Sequence, residues 1–333
     1  MTSAGRATSD RVELARRDVV ALIRREQAAV APELEAALCE QQRPGTLRCH
    51  DPQDVRLAVD DLEATGRIVR VRSRASHATR ETAVFMLPDG DPGRRAVAEH
   101  KRDLFARYLS WTEGADSPIR LGAQQVVHAS LQVAARSGYQ VAAAPPADVT
   151  VLAAPRADGT SGRPVLIPLE VRSSRDWLMT HSTGLYPLLI KATRIQVAEP
   201  TAPIMPMVVC RRAHPQLLAM GRDLGFLVLE SRREFILPSV AETAVAEVRS
   251  SLGLTDLTRA DTADRLMVSR LEQIVPTMTT PLLSRWRQTT ATTIPLHFTA
   301  LLDEDTAAGR RRVVRTIRSI AVERGLADQR QSW

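Results

Sequence analysis

The sequence is poor in aromatic residues and in cysteine, and it lacks the common nucleotide-binding motifs. Aromatic residues make up 4% of the chain, which argues against an aromatic stacking platform for single-stranded nucleic acids. The three cysteines, Cys39, Cys49 and Cys210, contain no CxxC spacing, so we expect neither a zinc site nor a disulfide framework. No GxxxxGK[ST] or GxGxxG motif occurs, which argues against an ATP-driven motor.

Long apolar segments are also missing. No apolar run reaches the roughly 18 residues that a membrane-spanning helix needs. The first ten residues, MTSAGRATSD, lack the apolar region of a signal peptide. We therefore expect a cytoplasmic protein with no membrane partner. A length of 333 residues is typical of two or three domains.

The charge is strongly basic and is carried almost entirely by arginine. The formal net charge is +7, which favours a polyanionic partner such as DNA. Among 45 basic residues only Lys101 and Lys191 are lysines. Codon bias in a GC-rich genome produces the same enrichment, and it means that an arginine can stand where a motif would carry a lysine.

Residues 9–88 predict three helices followed by two strands. Apolar residues recur at helical spacing in 12–23 and again in a short segment, 31–41. The third helix, 51–65, has the clearest start, because Asp51 can cap it and a proline follows in its first turn.

Two apolar strands, 68–72 and 82–87, follow the third helix around a polar loop. Three helices followed by a hairpin resembles the winged helix-turn-helix family. The resemblance implies DNA binding, with helix 51–65 in the major groove and the hairpin on the phosphate backbone. The expected DNA contacts are Gln53, Arg56, Arg67, Arg70, Arg72 and Arg74.

Acidic residues on the third helix argue against DNA binding by this helix. Asp60, Asp61 and Glu63 would repel DNA if they faced the groove. A module for dimerisation or domain packing is the alternative interpretation of residues 9–88.

The rest of the chain divides into a connector helix in 89–118, an α/β domain in 119–232 and a helical region in 233–333. The α/β segment has the order α-β-β-β-α-β-α-β. Continuous apolar strands with helices between them predict a mixed sheet covered by helices on both faces. The predicted strands are 139–144, 149–153, 165–171, 205–211 and 226–230.

Two acidic residues and one arginine mark the second and third of these strands. Asp148 opens the second strand, and Glu170 and Arg172 share one face near the end of the third. A hairpin can bring Asp148 beside Glu170. Two converging carboxylates predict a Mg²⁺ site, because that ion prefers oxygen ligands. Such an ion could activate water for attack on a phosphodiester.

The α-β-β-β-α-β order with these residues resembles the PD-(D/E)XK nuclease superfamily. The resemblance implies a metal-dependent endonuclease that hydrolyses DNA phosphodiesters in a restriction, defence or repair setting, with Mg²⁺ or Mn²⁺ as cofactor. Asp148 and Glu170 correspond to the metal-binding acids and Arg172 to the motif lysine.

Two departures from that pattern support a second hypothesis. Arg172 stays protonated and cannot act as a base. Gln124 or Gln125 stands where many members carry a glutamate on the first core helix. The alternative is therefore a non-catalytic DNA-binding regulator or assembly factor with a degenerate nuclease fold. Lys191 is then either a relocated catalytic lysine or a solvent-facing residue, and Glu170 with Arg172 either site residues or a surface ion pair.

The C-terminal region predicts helices over 240–252, 260–274, 281–288 and 307–324. In the last one Arg311, Arg315 and Arg318 share a face. This face is either a second contact to the DNA backbone or a solvated surface. A homodimer and protein partners in a multi-component system are both compatible with the sequence.

Overall fold

A computed structural model describes most of the chain and shows a mixed α/β protein. Its contacts divide the chain into two compact units. Within the described residues no helix combines the length and the apolar character needed to cross a membrane. The first unit is Met1–Ile119 with Pro238–Thr258, and the second is Arg120–Leu237 with Arg259–Trp333. The described residues are 3–40, 49–71, 83–88, 91–114, 116–136, 140–143, 149–155, 161–329 and 333.

Helices make up most of the regular structure. Two short segments have other helical geometry, a π-helical turn at Ala36–Glu40 and a 3₁₀ turn at Thr183–Leu185. The α-helices are α1 Ser3–Glu26, α2 Ala31–Glu35, α3 Pro52–Ala64, α4 Pro92–Ser110, α5 Pro118–Arg136, α6 Tyr186–Ala198, α7 Pro215–Leu224, α8 Glu242–Ser251, α9 Arg265–Thr290, α10 Ile294–Asp303 and α11 Ala307–Glu323.

The strands are β1 Ala28–Val30, β2 Val69–Val71, β3 Val84–Met86, β4 Gln140–Ala143, β5 Val149–Pro155, β6 Ser161–Arg172, β7 Met207–Cys210, β8 Leu227–Glu230, β9 Glu234–Ile236 and β10 Leu257–Arg259. The two longest strands, β5 and β6, lie in the second unit.

In the first unit, α3 begins where the sequence predicts. The side chain of Asp51 accepts a hydrogen bond of 2.8 Å from the backbone N–H of Gln53, and Pro52 occupies the first turn. The predicted apolar stripe, which includes Val55 and Leu62, is buried. Gly66 follows the helix with a φ of 68°, a left-handed conformation that glycine adopts without strain.

A small antiparallel sheet completes this part of the unit, and it contains a strand that the sequence pattern did not predict. The strand order is β1-β3-β2. Ala28 of β1 pairs with Met86, which also pairs with Val69 of β2. β1 has only three residues, too few for a period of two to be visible in the sequence.

The helix predicted as a connector in 89–118 is α4, which packs within the first unit. The ammonium group of Lys101 on α4 lies 2.7 Å from the carboxylate of Glu33 on α2. It also donates a hydrogen bond of 2.8 Å to the carbonyl oxygen of Ala28. Both side chains are buried, so this ion pair joins α4 to β1 and α2.

The second unit contains a five-stranded sheet in the order β4-β5-β6-β7-β8. β4, β5 and β6 pair antiparallel, whereas β6, β7 and β8 pair parallel. The parallel pairs are joined by α6 and α7, so the observed elements follow the predicted α-β-β-β-α-β-α-β order.

Helices cover both faces of this sheet, as the sequence predicts. Val208 and Cys210 of β7 pack into one buried cluster, with residues of α6, α7, α10 and α11. Met207 and Val209 pack into the other, with residues of α5 and α9. The alternation follows from the two-residue repeat of a strand.

The C-terminal helices differ from the sequence prediction. One helix, α9, replaces the two predicted segments 260–274 and 281–288, and α10 was not predicted. The second predicted segment begins at Pro281, and a proline inside a helix removes a helical hydrogen bond. Apolar contacts at both ends, including Met267 and Trp286, oppose that cost. The contacts also assign 238–258 to the first unit and 259–333 to the second, instead of the single region 233–333.

Candidate functional site

The predicted acid–arginine pair lies on β6, where the central strand of the sheet ends. Glu170 and Arg172 point to the same side of the strand, and the guanidinium lies 3.5 Å from the carboxylate. Each side chain keeps between a third and two fifths of its surface exposed. The sequence interpretation of a same-face pair is therefore confirmed.

Arg172 is held between Glu170 and the turn that precedes α6. A Cβ atom added to Gly184 in this turn would overlap the guanidinium group of Arg172. The close approach depends on the absence of a side chain at position 184. Sequence reasoning did not single out Gly184, because nothing local to it indicates a contact with a strand twelve residues earlier.

The other predicted members of the site are less completely described. Asp148 lies outside the described residues. The strand that follows it, β5, begins at Val149, which pairs with Pro168, two residues before Glu170. Lys191 lies half-buried in the middle of α6.

Gln125 on α5 is engaged away from the acid–arginine pair. Its amide nitrogen donates a 3.2 Å hydrogen bond to the carbonyl oxygen of Ala260, in the segment before α9. Gln124 is exposed. The described contact of Gln125 is therefore one that supports the fold on the α9 side of the sheet.

The described residues supply only part of the predicted Mg²⁺ site. Glu170 is the one predicted carboxylate ligand within the described residues, and its described partner is a guanidinium. Across the described part of the chain, no group of three or more histidine, cysteine, aspartate or glutamate residues could hold a metal. Mg²⁺ needs several oxygen ligands, and Asp148, the second predicted carboxylate, lies outside the described residues.

Next to β6, a second and fully buried ion pair fixes the loop that leaves the strand. Arg175 lies 2.8 Å from Glu234 of β9, and both side chains are almost completely buried. The guanidinium of Arg211 donates a hydrogen bond of 3.1 Å to the carbonyl oxygen of Arg175. Removing one member of such a pair is costly, so this loop is held firmly beside the Glu170–Arg172 pair.

Burial also keeps the nearby cysteine unreactive. Cys210 ends β7 and aligns with Arg172 in the parallel register. Burial, and to a lesser degree the charge of Glu230, raises the pKa of its thiol to about 12. The thiol therefore stays protonated at neutral pH and is a poor nucleophile.

In the first unit, the predicted DNA contacts fall into three groups. Arg67 is exposed after α3, and Gln53 is half-buried in its first turn. Arg56 is paired at 2.8 Å with Glu35. Arg70 is paired at 2.6 Å with Glu63 and lies 5.4 Å from the ring centre of Phe85. Arg72 and Arg74 lie outside the described residues.

Most acids of α3 that could repel DNA are matched by arginines. Asp54 lies 3.0 Å from Arg11, and Asp61 lies 3.0 Å from Arg16, both on α1. The third, Glu63, has the Arg70 partner given above. Asp60 is exposed. The acidic character of α3 is therefore largely neutralised by contacts within the unit.

No protein-family model, curated protein or solved structure matches this chain. Its function is therefore inferred from its own residues and their geometry.

Proposed function

We propose that this chain is a DNA-binding protein with a winged helix and an endonuclease-like α/β domain that contacts the phosphodiester backbone. The observation that carries the proposal is the acid–arginine pair, Glu170 with Arg172, at the end of the central strand of a mixed sheet. A basic net charge of +7 is consistent with a polyanionic partner.

The first unit supports the DNA-binding half of the proposal. Its order of helices and strands, with β3 between β1 and β2, agrees with a winged-helix arrangement. The arginine partners of Asp54, Asp61 and Glu63 remove much of the repulsion that an acidic α3 would exert on DNA.

The second unit supports contact with the backbone. β6 carries Glu170 and Arg172 between antiparallel β5 and parallel β7, an arrangement that agrees with the nuclease-like resemblance. A guanidinium is well suited to hold phosphate oxygens. Arg172 is therefore a candidate phosphate contact.

Anisotropy of a labelled DNA duplex tests the proposal. We expect the logarithm of the binding affinity to fall linearly with the logarithm of the salt concentration between about 50 and about 200 mM. Arg172→Gln should weaken binding without a change in melting temperature, because this half-exposed pair contributes little to stability. An absence of duplex binding at about 50 mM salt would contradict the proposal.

Cleavage is a second candidate, favoured by one observation. β5 begins at Val149 opposite Pro168, so the strand that follows Asp148 starts close in register to Glu170. Supercoiled plasmid with Mg²⁺ or Mn²⁺ should then be nicked by the wild-type protein and not by Glu170→Ala. Equal and negligible nicking by both proteins would leave the DNA-binding function without catalysis.

A further inference from the structure

The carboxyl ends of the parallel strands gather several arginines at one edge of the sheet. The register aligns Cys210 of β7 with Glu230 of β8. The two segments stay paired beyond these residues, because the backbone N–H of Arg232 donates a hydrogen bond of 3.0 Å to the carbonyl oxygen of Arg211. Arg212 and Arg232 therefore leave the sheet at the same edge.

A third arginine reaches this edge from α9. The guanidinium of Arg270 donates a hydrogen bond to the backbone carbonyl of Glu230. The guanidinium of Arg232 lies 3.5 Å from the carboxylate of the same residue. Arg232 and Arg270 therefore converge on Glu230 from two different elements.

Two acids, Glu230 and Asp264, act on Arg270 at this edge. The carboxylate of Glu230 also accepts a 3.0 Å hydrogen bond from the backbone N–H of Ala213. The neighbouring acid, Asp264, has its own partner in Arg233 at 2.8 Å. Of these two acids, Glu230 has the described ion pair with Arg232, whereas Arg270 contacts the backbone carbonyl of Glu230 and not its carboxylate.

The surroundings of Arg270 lower the pKa of its guanidinium. Burial, first, and then the charges of Arg232 and Arg212 lower the pKa of its guanidinium, while Glu230 and Asp264 oppose them. Like charges that are held close together repel one another, and a bound anion would relieve that repulsion.

The backbone of Arg232 is unusual as well. Its φ is 57°, in the left-handed region that non-glycine residues rarely adopt. Such conformations persist where the surrounding structure holds them, and they concentrate at functional sites. This one directs an exposed arginine side chain from the end of β8.

We propose that Arg232 and Arg270 form a binding site for phosphate oxygens of a nucleic acid strand, at the same edge of the sheet as the Glu170–Arg172 pair on β6 and two strands away from it. Guanidinium groups bind phosphate through paired, charge-assisted hydrogen bonds. The inference rests on the proposed function and adds to it residues that lie outside the nuclease-like motif.

Duplex binding by Arg232→Gln tests this site. Glutamine keeps hydrogen-bonding ability and removes the charge. The matched control is Arg194→Gln, because Arg194 is exposed on α6, away from the strand ends. We expect Arg232→Gln to bind the labelled duplex about tenfold more weakly at low salt. The slope of log affinity against log salt should fall by about 0.9, the contribution of one phosphate contact. Arg232→Lys should recover part of the loss.

The alternative outcomes are distinct. If the wild-type protein binds the duplex and Arg232→Gln binds it as tightly as Arg194→Gln, this site is overturned while the proposed function stands. If inorganic pyrophosphate stabilises the wild-type protein and not Arg232→Gln, with equal duplex affinities, the site takes free phosphates and the nucleic-acid assignment is wrong. If the wild-type protein binds no duplex, the proposed function and this site fail together. Equal melting temperatures establish folding, and Arg270→Gln repeats the test from α9 if Arg232→Gln is unstable.

Discussion

The two units use arginine in different ways. In the described part of the first unit, three of the four acids of α3 pair with arginines, as in Asp54 with Arg11 and Asp61 with Arg16. At the strand ends of the second unit, Arg232 lies 3.5 Å from the carboxylate of Glu230, and Arg270 donates to the backbone carbonyl of the same residue. A count of basic residues does not separate these cases, because the arginines that pair with α3 lie at hydrogen-bonding distance from their acids, whereas Arg172 and Arg232 each lie 3.5 Å from theirs.

This comparison changes where the strongest DNA contact is expected. Arg56 and Arg70, predicted as DNA contacts, are held by Glu35 and Glu63 in the first unit. The arginines at the sheet edge of the second unit were not predicted, and they lie where an anion would lower repulsion.

The largest expected effect tests whether ion pairs of the first unit are structural. Lys101→Met leaves the buried carboxylate of Glu33 without its partner, and we expect a loss of about 3–5 kcal/mol in the free energy of unfolding. Urea denaturation measures the loss. Reaction of the buried Cys39 thiol with a thiol reagent should accelerate in parallel, because burial normally raises its pKa and protects it.

The double variant Lys101→Met with Glu33→Leu is the control for this effect. It replaces the pair by apolar side chains, which is often neutral for stability, and should recover most of the loss. A change below about 1 kcal/mol in Lys101→Met would show that the pair is not structural.

An intermediate effect separates paired from exposed arginine within the first unit. Arg70→Ala removes the Glu63 ion pair and the contact with the Phe85 ring, and should cost about 1 kcal/mol of stability. It should leave the salt dependence of duplex binding unchanged. Arg67→Ala should have the opposite effects. It should lower the slope of log affinity against log salt by about 0.9 and leave the melting temperature unchanged. If Arg70→Ala alone alters the slope, pairing does not withdraw an arginine from DNA.

The smallest effect concerns the position of Arg172. Gly184→Ala should displace its guanidinium at a modest cost, since the end of a flexible side chain can move. In an Arg172→Ala background the same change has no guanidinium to displace. A double-mutant cycle measured by urea denaturation should therefore give a coupling of at least about 0.5 kcal/mol. Additive effects would mean that Gly184 and Arg172 do not interact.

Local features of the fold were predictable from the sequence. The Asp51 cap and the following proline announce α3, and the two-residue repeat places Glu170 and Arg172 on one face. The prediction failed for β1, which is too short to show a period. It also failed for α9, where apolar packing at both ends outweighs the helix-breaking tendency of proline. Asp148, Arg72 and Arg74 lie outside the described residues and stay predictions.

The sequence by itself determined the start of α3, the strand face that Glu170 and Arg172 share, and the basic charge, because these depend on neighbouring residues or on composition. Only the tertiary structure decided which charges meet. Lys101 pairs with Glu33, which lies 68 residues away in the chain. Arg270 donates a hydrogen bond to the carbonyl of Glu230, which lies 40 residues away. Such partners are brought together by packing between elements, and no local periodicity encodes them.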